Sequence, residues 1–334
     1  MNRDKIKGLF LGCAIGDALG MAVETYSAQK IAEKFGRITT YLSPKFHKWF
    51  DNEEPGTWTD DTQLTLAVAE GIIQSKSLDP NAIASWHIEA FKNGVKGWGG
   101  TTRQAIKNLM EGIPWNQSGI GTDIPGKGLG NGVAMKIAPA GAYMAATNPL
   151  CQEPLWSEHV KALYQIAIMT HKSSMGVASG LCHAFATFKC LLSTPENFDL
   201  ESFIKTVVGG ALMGQQYLRK TANQDSLFER MKLLYDHEKY DISKIITELK
   251  GSCYVYDSLP FTYMFFVKNP QSIEQLYDCI SAGGDTDSNG SMLATLLGAL
   301  HGTKIFPQEL VDGLQKKEQV LDTAERFADA LGVA

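Results

Sequence analysis

The sequence predicts an all-α fold, and three observations carry that reading. Apolar residues recur at helical spacing through most of the chain, runs of alternating β-branched residues are nearly absent, and no succession of strand, helix and strand occurs. The 334 residues are 44% hydrophobic and 20% charged, a composition able to bury a large core. No linker and no internal repeat breaks the pattern. Residues 1–334 are therefore expected to form a single compact domain of orthogonally packed helices.

The first helix is expected over residues 5–24. It is rich in small residues, and Gly12, Gly16 and Gly20 recur every four positions, as in a helix packed closely against a neighbour. Basic residues precede its apolar run, the pattern of a short signal sequence, but Asp17 interrupts the run. A cytoplasmic protein is the expectation. Thr59 then caps a helix with a broad apolar face from Leu64 to Ile73. A helix starting near Pro80 runs through Trp86 and Phe91. Residues 160–170, 176–192, 200–218, 227–238 and 242–249 repeat the pattern. Residues 291–301, rich in Ala, Gly and Leu, suit a tightly packed interior helix, and 310–331 reads as a terminal amphipathic one. The irregular stretches are 37–57, 93–101 and 116–132, and sites tend to lie on such loops.

Composition excludes several classes. The net charge is −5 and no Lys/Arg block stands out, so neither nucleic acid nor an acidic membrane is an expected partner. No apolar stretch reads as a membrane span. Cys13, Cys151, Cys182, Cys190, Cys253 and Cys279 form no CxxC pair, which points to thiols in a reducing compartment.

Two acidic clusters hold the chemistry: Thr59-Asp60-Asp61-Thr62 and Gly283-Gly284-Asp285-Thr286-Asp287-Ser288. Capping and the helix dipole account for either one alone. Two of them, each before a buried-looking helix, call for a counter-charge. Their oxygens are hard ligands suited to magnesium, manganese or calcium. Four carboxylates match two divalent cations, the arrangement of a two-metal hydrolytic site. Asp285 to Gly290 also matches the first half of an EF-hand loop, but Leu296 stands where the bidentate Glu belongs. Residues 126–132 supply glycines whose N–H groups can cradle phosphate. His171 follows an apolar run, where a structural histidine is the commoner outcome. Glu24, read as closing the first helix, opposes the helix dipole and has no local explanation.

Taken in order, these segments resemble the ADP-ribosylglycohydrolase family. The similar segments are Gly16-Asp17-Ala18-Leu19-Gly20 with Glu24, Thr59-Asp60-Asp61-Thr62, Gly130-Asn131-Gly132-Val133-Ala134-Met135, Thr170-His171, and Gly283 to Ser288. The resemblance implies an all-α fold with a dinuclear site of Mg2+ or Mn2+ in a loop-lined cleft. Its metal ligands would be Thr59, Asp60, Asp61, Asp285, Asp287 and Ser288, the last a Ser where the family usually has Thr. Glu24, Asp60, Asp61 and Asp287 would be catalytic. Gly99, Gly100, Thr101, Gly128, Gly130, Asn131, Gly132 and His171 would bind substrate.

The implied activity is release of ADP-ribose from a modified protein side chain, with the ADP-ribosylated protein as partner. The linkage stays open between arginine and serine. Arginine-type members carry Asp where Gly100 stands, yet Thr101-Thr102-Arg103 is shared with them. The alternatives are hydrolysis of a free ADP-ribosyl metabolite or of poly(ADP-ribose), a crystallin-like relative without activity, and a module that binds ADP-ribose uncut.

Overall fold

Glycines at every fourth position of the opening helix, Arg3–Met21, bring it into backbone contact with the helix Thr286–His301. A Cβ on Gly8, Gly12, Gly16 or Gly20 would strike the backbone of Gly298, Ala294, Gly290 or Thr286 in turn. Partner numbers fall as the glycine numbers rise, so the pair is antiparallel. The C-terminal end of one helix therefore meets the acidic N-terminal end of the other. Both helices are buried along almost their whole length.

The computed structural model describes residues 1–121, 126–148, 157–218 and 225–334. Cys151 and residues 122–125 of the expected 116–132 loop lie outside them. The expected helices appear as Asp60–Ser75, Pro80–Lys92, Ser157–Ile168, Ser174–Leu192, Leu200–Tyr217, Leu227–Met231 and Ile242–Leu249. The all-α reading holds: among the described residues the strands are Ile120–Gly121 and His171–Lys172, a two-residue parallel pair.

Several expectations need correction. The terminal helix is two, Gln308–Gly313 and Lys317–Ala330, because Lys316 adopts a left-handed conformation (φ 52°) between them. Residues Lys232–Lys239 wind as a 3-10 turn rather than continuing the α-helix. Helices Ala28–Phe35, Gly100–Met110, Ala138–Thr147, Val255–Lys268 and Glu274–Ser281 were not anticipated. Three of them are hard to read: Gly100–Met110 opens on glycine, Val255–Lys268 contains Pro260, and Ala138–Thr147 is apolar on nearly every face; Ala28–Phe35 and Glu274–Ser281 are only eight residues long.

Ser174–Leu192 also meets the length and mean hydropathy (1.3) of a membrane span, which the sequence reading had not credited to any segment. Here 89% of that window is buried inside the protein. The EF-hand alternative falls, because Asp287 to Gly290 are turns of a helix whose Gly290 packs on Gly16.

Candidate active site

Asp17 organises the first acidic cluster. Its fully buried carboxylate accepts hydrogen bonds from the N–H of Thr59 (2.9 Å) and of Thr62 (3.0 Å), and from their hydroxyls at 2.8 and 2.6 Å. Thr59 makes no side-chain cap of its own. The first N–H groups of Asp60–Ser75 are thus satisfied from another helix, and Asp60 and Asp61 are released from capping. In the sequence Asp17 interrupts an apolar run and belongs to a family-like segment without a site role; a lone carboxylate in a glycine-rich apolar helix is the signal for one.

The second cluster is threaded into place by its glycines. Gly283 and Gly284 are left-handed (φ 78° and 93°), and a Cβ on either would collide with backbone at Tyr26 or Gly251. Gly284 N–H donates to Tyr26 O (2.9 Å), Thr25 N–H to Gly284 O (2.7 Å) and Asp285 N–H to Gly251 O (2.8 Å). Glu24 is stitched against Asp285 by this lacing. It lies three residues past the end of the opening helix, not in its last turn, and precedes Thr25 with φ 69°. The dipole argument for it therefore lapses, and its turn is held by tertiary contacts.

The two clusters meet. Carboxylate oxygens of Asp17, Asp61 and Asp287 lie within 4.8 Å of one another, as do those of Glu24, Asp285 and Asp287. Asp287 belongs to both groups. Ser288 Oγ donates to Asp61 Oδ2 at 3.2 Å, while Asp61 Oδ1 is buried without a partner among the described residues. Asp60 belongs to neither group and lies against the backbone of Gly97 and Gly99.

Burial and mutual repulsion push these carboxyls up, as packed like charges require. Burial, then Asp285, Asp60 and Asp17, raises Glu24 to about 8. Burial and Asp17 raise Asp60 to about 8. Asp61 and Asp287 are pushed well above the usual carboxylate range, chiefly by burial. Asp17 rises only to about 6, because the Thr59 and Thr62 bonds offset burial. His47 Nε2 lies 3.6 Å from Glu24 Oε2.

Glu24, Asp60, Asp285, Asp287 and Ser288 line a cleft of about 1030 Å3, and Asp17 and Asp61 are buried outside its lining. Gly99, Gly100, Thr101, Gly130, Asn131, Gly132 and His171 also line it. Gly128 sits just behind, donating its N–H to Thr101 Oγ1 (3.3 Å), and Asn131 N–H donates to Cys253 O (3.1 Å). The glycine segment thus offers a phosphate the N–H groups of Leu129, Gly130 and Gly132, fewer than its composition suggests. The Asn131 side chain donates to Asp285 Oδ2 at 2.5 Å, tying this segment to the acidic cluster.

Sequence reasoning missed other walls of the cleft: Trp49 and Phe50 from the 37–57 loop, and the cations Lys96, Arg103 and Lys127. Their surroundings gave no pattern along the chain, since no two of those cations are neighbours in sequence.

The family model of ADP-ribosylglycohydrolase matches residues 1–334. The chain is similar to ADP-ribosyl-[dinitrogen reductase] glycohydrolase of Rhodospirillum rubrum, 26% identical over 98% of this chain and 95% of that one. It is similar to ADP-ribosylarginine hydrolase Tri1 of Serratia proteamaculans, 23% identical over 97% of this chain and 79% of that one. Among solved structures, an ADP-ribosylglycohydrolase-related protein complex superposes with a TM-score of 0.69 at 20% identity, covering 98% of both chains. With the whole chain matched and its acidic clusters joined in one cleft, the chain belongs to the ADP-ribosylglycohydrolase family, whose members are hydrolases acting on glycosyl bonds.

Proposed function

We propose that this protein is a divalent-cation-dependent hydrolase that cuts the bond between ADP-ribose and a modified protein side chain, reversing mono-ADP-ribosylation. The observation that carries this reading is the meeting of Glu24, Asp285 and Asp287 with Asp17 and Asp61 beside a nucleotide-sized cleft.

Thr59, Asp60, Asp61, Asp285, Asp287 and Ser288 would hold two Mg2+ or Mn2+ ions. Their chemistry fits: all offer hard oxygens, Asp61 Oδ1 is an orphaned buried acceptor, and the Thr59 and Ser288 hydroxyls give their protons to carboxylates, leaving lone pairs outward. Bound cations would orient the ribose and supply a water of lowered pKa.

Glu24 moves the proton in this reading. Its carboxyl stands beside those of Asp285 and Asp287 in the cleft, within reach of a departing atom that needs a proton. Asp287, common to both carboxylate groups, is placed to take the proton of the attacking water. The surrounding carboxylates favour the positive charge that develops on the ribose as its C1″ bond breaks. The N–H groups of Leu129, Gly130 and Gly132, with His171, would receive the pyrophosphate.

Of the two linkages, serine has the better support. A Cβ on Gly100 would stand 3.0 Å from Lys127 Nζ, and Glu53, which also lines the cleft, is paired with Lys96 at 2.7 Å. A guanidinium leaving group would meet an ammonium there, whereas an alkoxide would gain a donor. Similarity to an ADP-ribosylarginine hydrolase keeps arginine as the second reading.

Serine-linked and arginine-linked mono-ADP-ribosylated proteins, incubated with the enzyme in Mg2+, Mn2+ or EDTA, test both points. Metal-dependent release from the serine substrate is expected, abolished by Asp287→Ala. Release from arginine alone overturns the linkage, and release from neither overturns the activity.

A further inference from the structure

Lys136 is fully buried and forms no ion pair among the described residues. It closes the 3-10 turn Ala134–Lys136 that follows the glycine segment. Its Nζ donates to Thr170 Oγ1 at 3.0 Å. The same oxygen lies 3.0 Å from His171 Nδ1. Thr170 and His171 are buried as well, and the Thr170 side chain has no further partner among the described residues.

The direction of these bonds follows from what each group can do. Burial lowers Lys136 to about 7, with Asp60 opposing the shift, and in its ammonium form the group only donates, so Thr170 Oγ1 then accepts from it. The hydroxyl has one proton of its own. Its one acceptor in reach is His171 Nδ1, and any other orientation leaves a buried O–H unsatisfied. In its charged form Lys136 also turns the O–H dipole away from itself, toward the imidazole. Burial and Lys136 push His171 down to about 3, so the ring is neutral and has a single N–H. With Nδ1 accepting, that hydrogen is on Nε2.

Nε2 is the ring edge turned to the cleft. It lies 3.1 Å from the place a Cβ on Gly132 would occupy and 3.8 Å from that on Gly130. Asp60 acts on the same lysine electrostatically, opposing the effect of burial.

We infer that Lys136 is a positioning residue: acting through Thr170, it locks His171 as the Nε2–H tautomer, which presents one neutral donor to an oxygen of the ligand on the glycine segment. Only the identity of that ligand, ADP-ribose, rests on the function proposed above.

The test is NMR of the full-length protein labelled with [15N]histidine, with His171→Gln assigning the signal among the seven histidines. In the native protein His171 should show a bare Nδ1 and a protonated Nε2. Lys136→Met and Thr170→Val, each checked for native fold by circular dichroism, should move it toward the Nδ1–H form. Both should weaken ADP-ribose binding roughly tenfold, the worth of one hydrogen bond. Lys136→Arg, which keeps the donor, should restore tautomer and affinity. Should Lys136→Met not fold, the near-isosteric Thr170→Val decides.

A protonated Nδ1 in the native protein, or a tautomer unmoved in either folded variant, overturns the inference. A tautomer that responds as stated in a protein that does not bind ADP-ribose supports the relay and instead overturns the proposed ligand.

Discussion

The Thr286 hydroxyl donates to the Gly20 carbonyl at 2.7 Å, joining the two helices at the level of the acidic cluster. Glu24 lies four residues beyond Gly20, and Asp285 and Asp287 flank Thr286. A Cβ on Gly20 would enter the backbone of Thr286 and Asp287. Gly20→Ala should therefore push the clusters apart and destabilise the protein by about 1–3 kcal/mol or more, the range for overpacked cores. Gly12→Ala strikes the same helix at Ala294, two turns further from the site. It should cost similar stability with a smaller loss of Mn2+ affinity. Urea unfolding and calorimetric titration separate the two; equal losses of affinity would refute the registration argument.

Asp17 holds the start of the Asp60–Ser75 helix through Thr59 and Thr62. Asp17→Asn keeps the shape but aims an amide at groups that all donate. At least one buried donor loses its acceptor, at about 1–3 kcal/mol. Urea unfolding should show that loss, and Mn2+ affinity should fall even if Asp17 never touches a cation. Unchanged stability would mean that Asp17 does not brace the helix.

Asp61 is expected to show opposite signs with and without cations. In EDTA, Asp61→Asn replaces a carboxyl whose ionised form burial and its neighbours disfavour, and should raise the melting temperature. In saturating Mg2+ or Mn2+ the wild type should gain a stabilisation that the variant lacks. If the variant melts lower than wild type in EDTA as well, the orphaned Oδ1 is not a metal-seeking atom.

The pH dependence has a definite sign. Glu24 and Asp60 have folded-state values of about 8, above those of an unfolded chain. The native state then holds their protons more tightly. Their stabilising contribution is whole below about pH 4 and is lost as the pH rises through about 8. Metal-free protein should melt progressively lower from pH 5 to 8, with a shallower decline in Glu24→Gln. Bound cations replace those protons, so saturating Mn2+ should flatten the profile. A rising melting temperature across that window in EDTA would contradict the assignment.

Much of the fold was legible because long helices announce themselves by period. The run from Leu64 to Ile73 and the small-residue segment before His301 both lie in the helices expected of them. Ala138–Thr147 was not legible, since a helix buried on nearly every side has no stripe to read. Val255–Lys268 was hidden by Pro260, and the terminal helix was read straight through the left-handed Lys316. Of the expected site, the residue types and order were readable, but the roles of capping groups were not. Thr59 looked like a cap, yet the cap comes from Asp17, forty-two residues earlier.

The sequence by itself determined that two sets of paired carboxylates open two buried helices, because unpaired charge at such positions needs a counter-ion. It also determined the glycine spacing that permits helices to touch. Only the tertiary structure decided that these facts are one fact. Antiparallel contact along Gly8, Gly12, Gly16 and Gly20 carries Glu24 to Asp285, and Asp17 carries the Thr59 cluster to the same point. Distances between residues remote in the chain depend on packing, which no local period encodes. The Lys136–Thr170–His171 line is of the same kind: Thr170 and His171 stand out in sequence only as a motif, and the three become directional only when the fold buries them together.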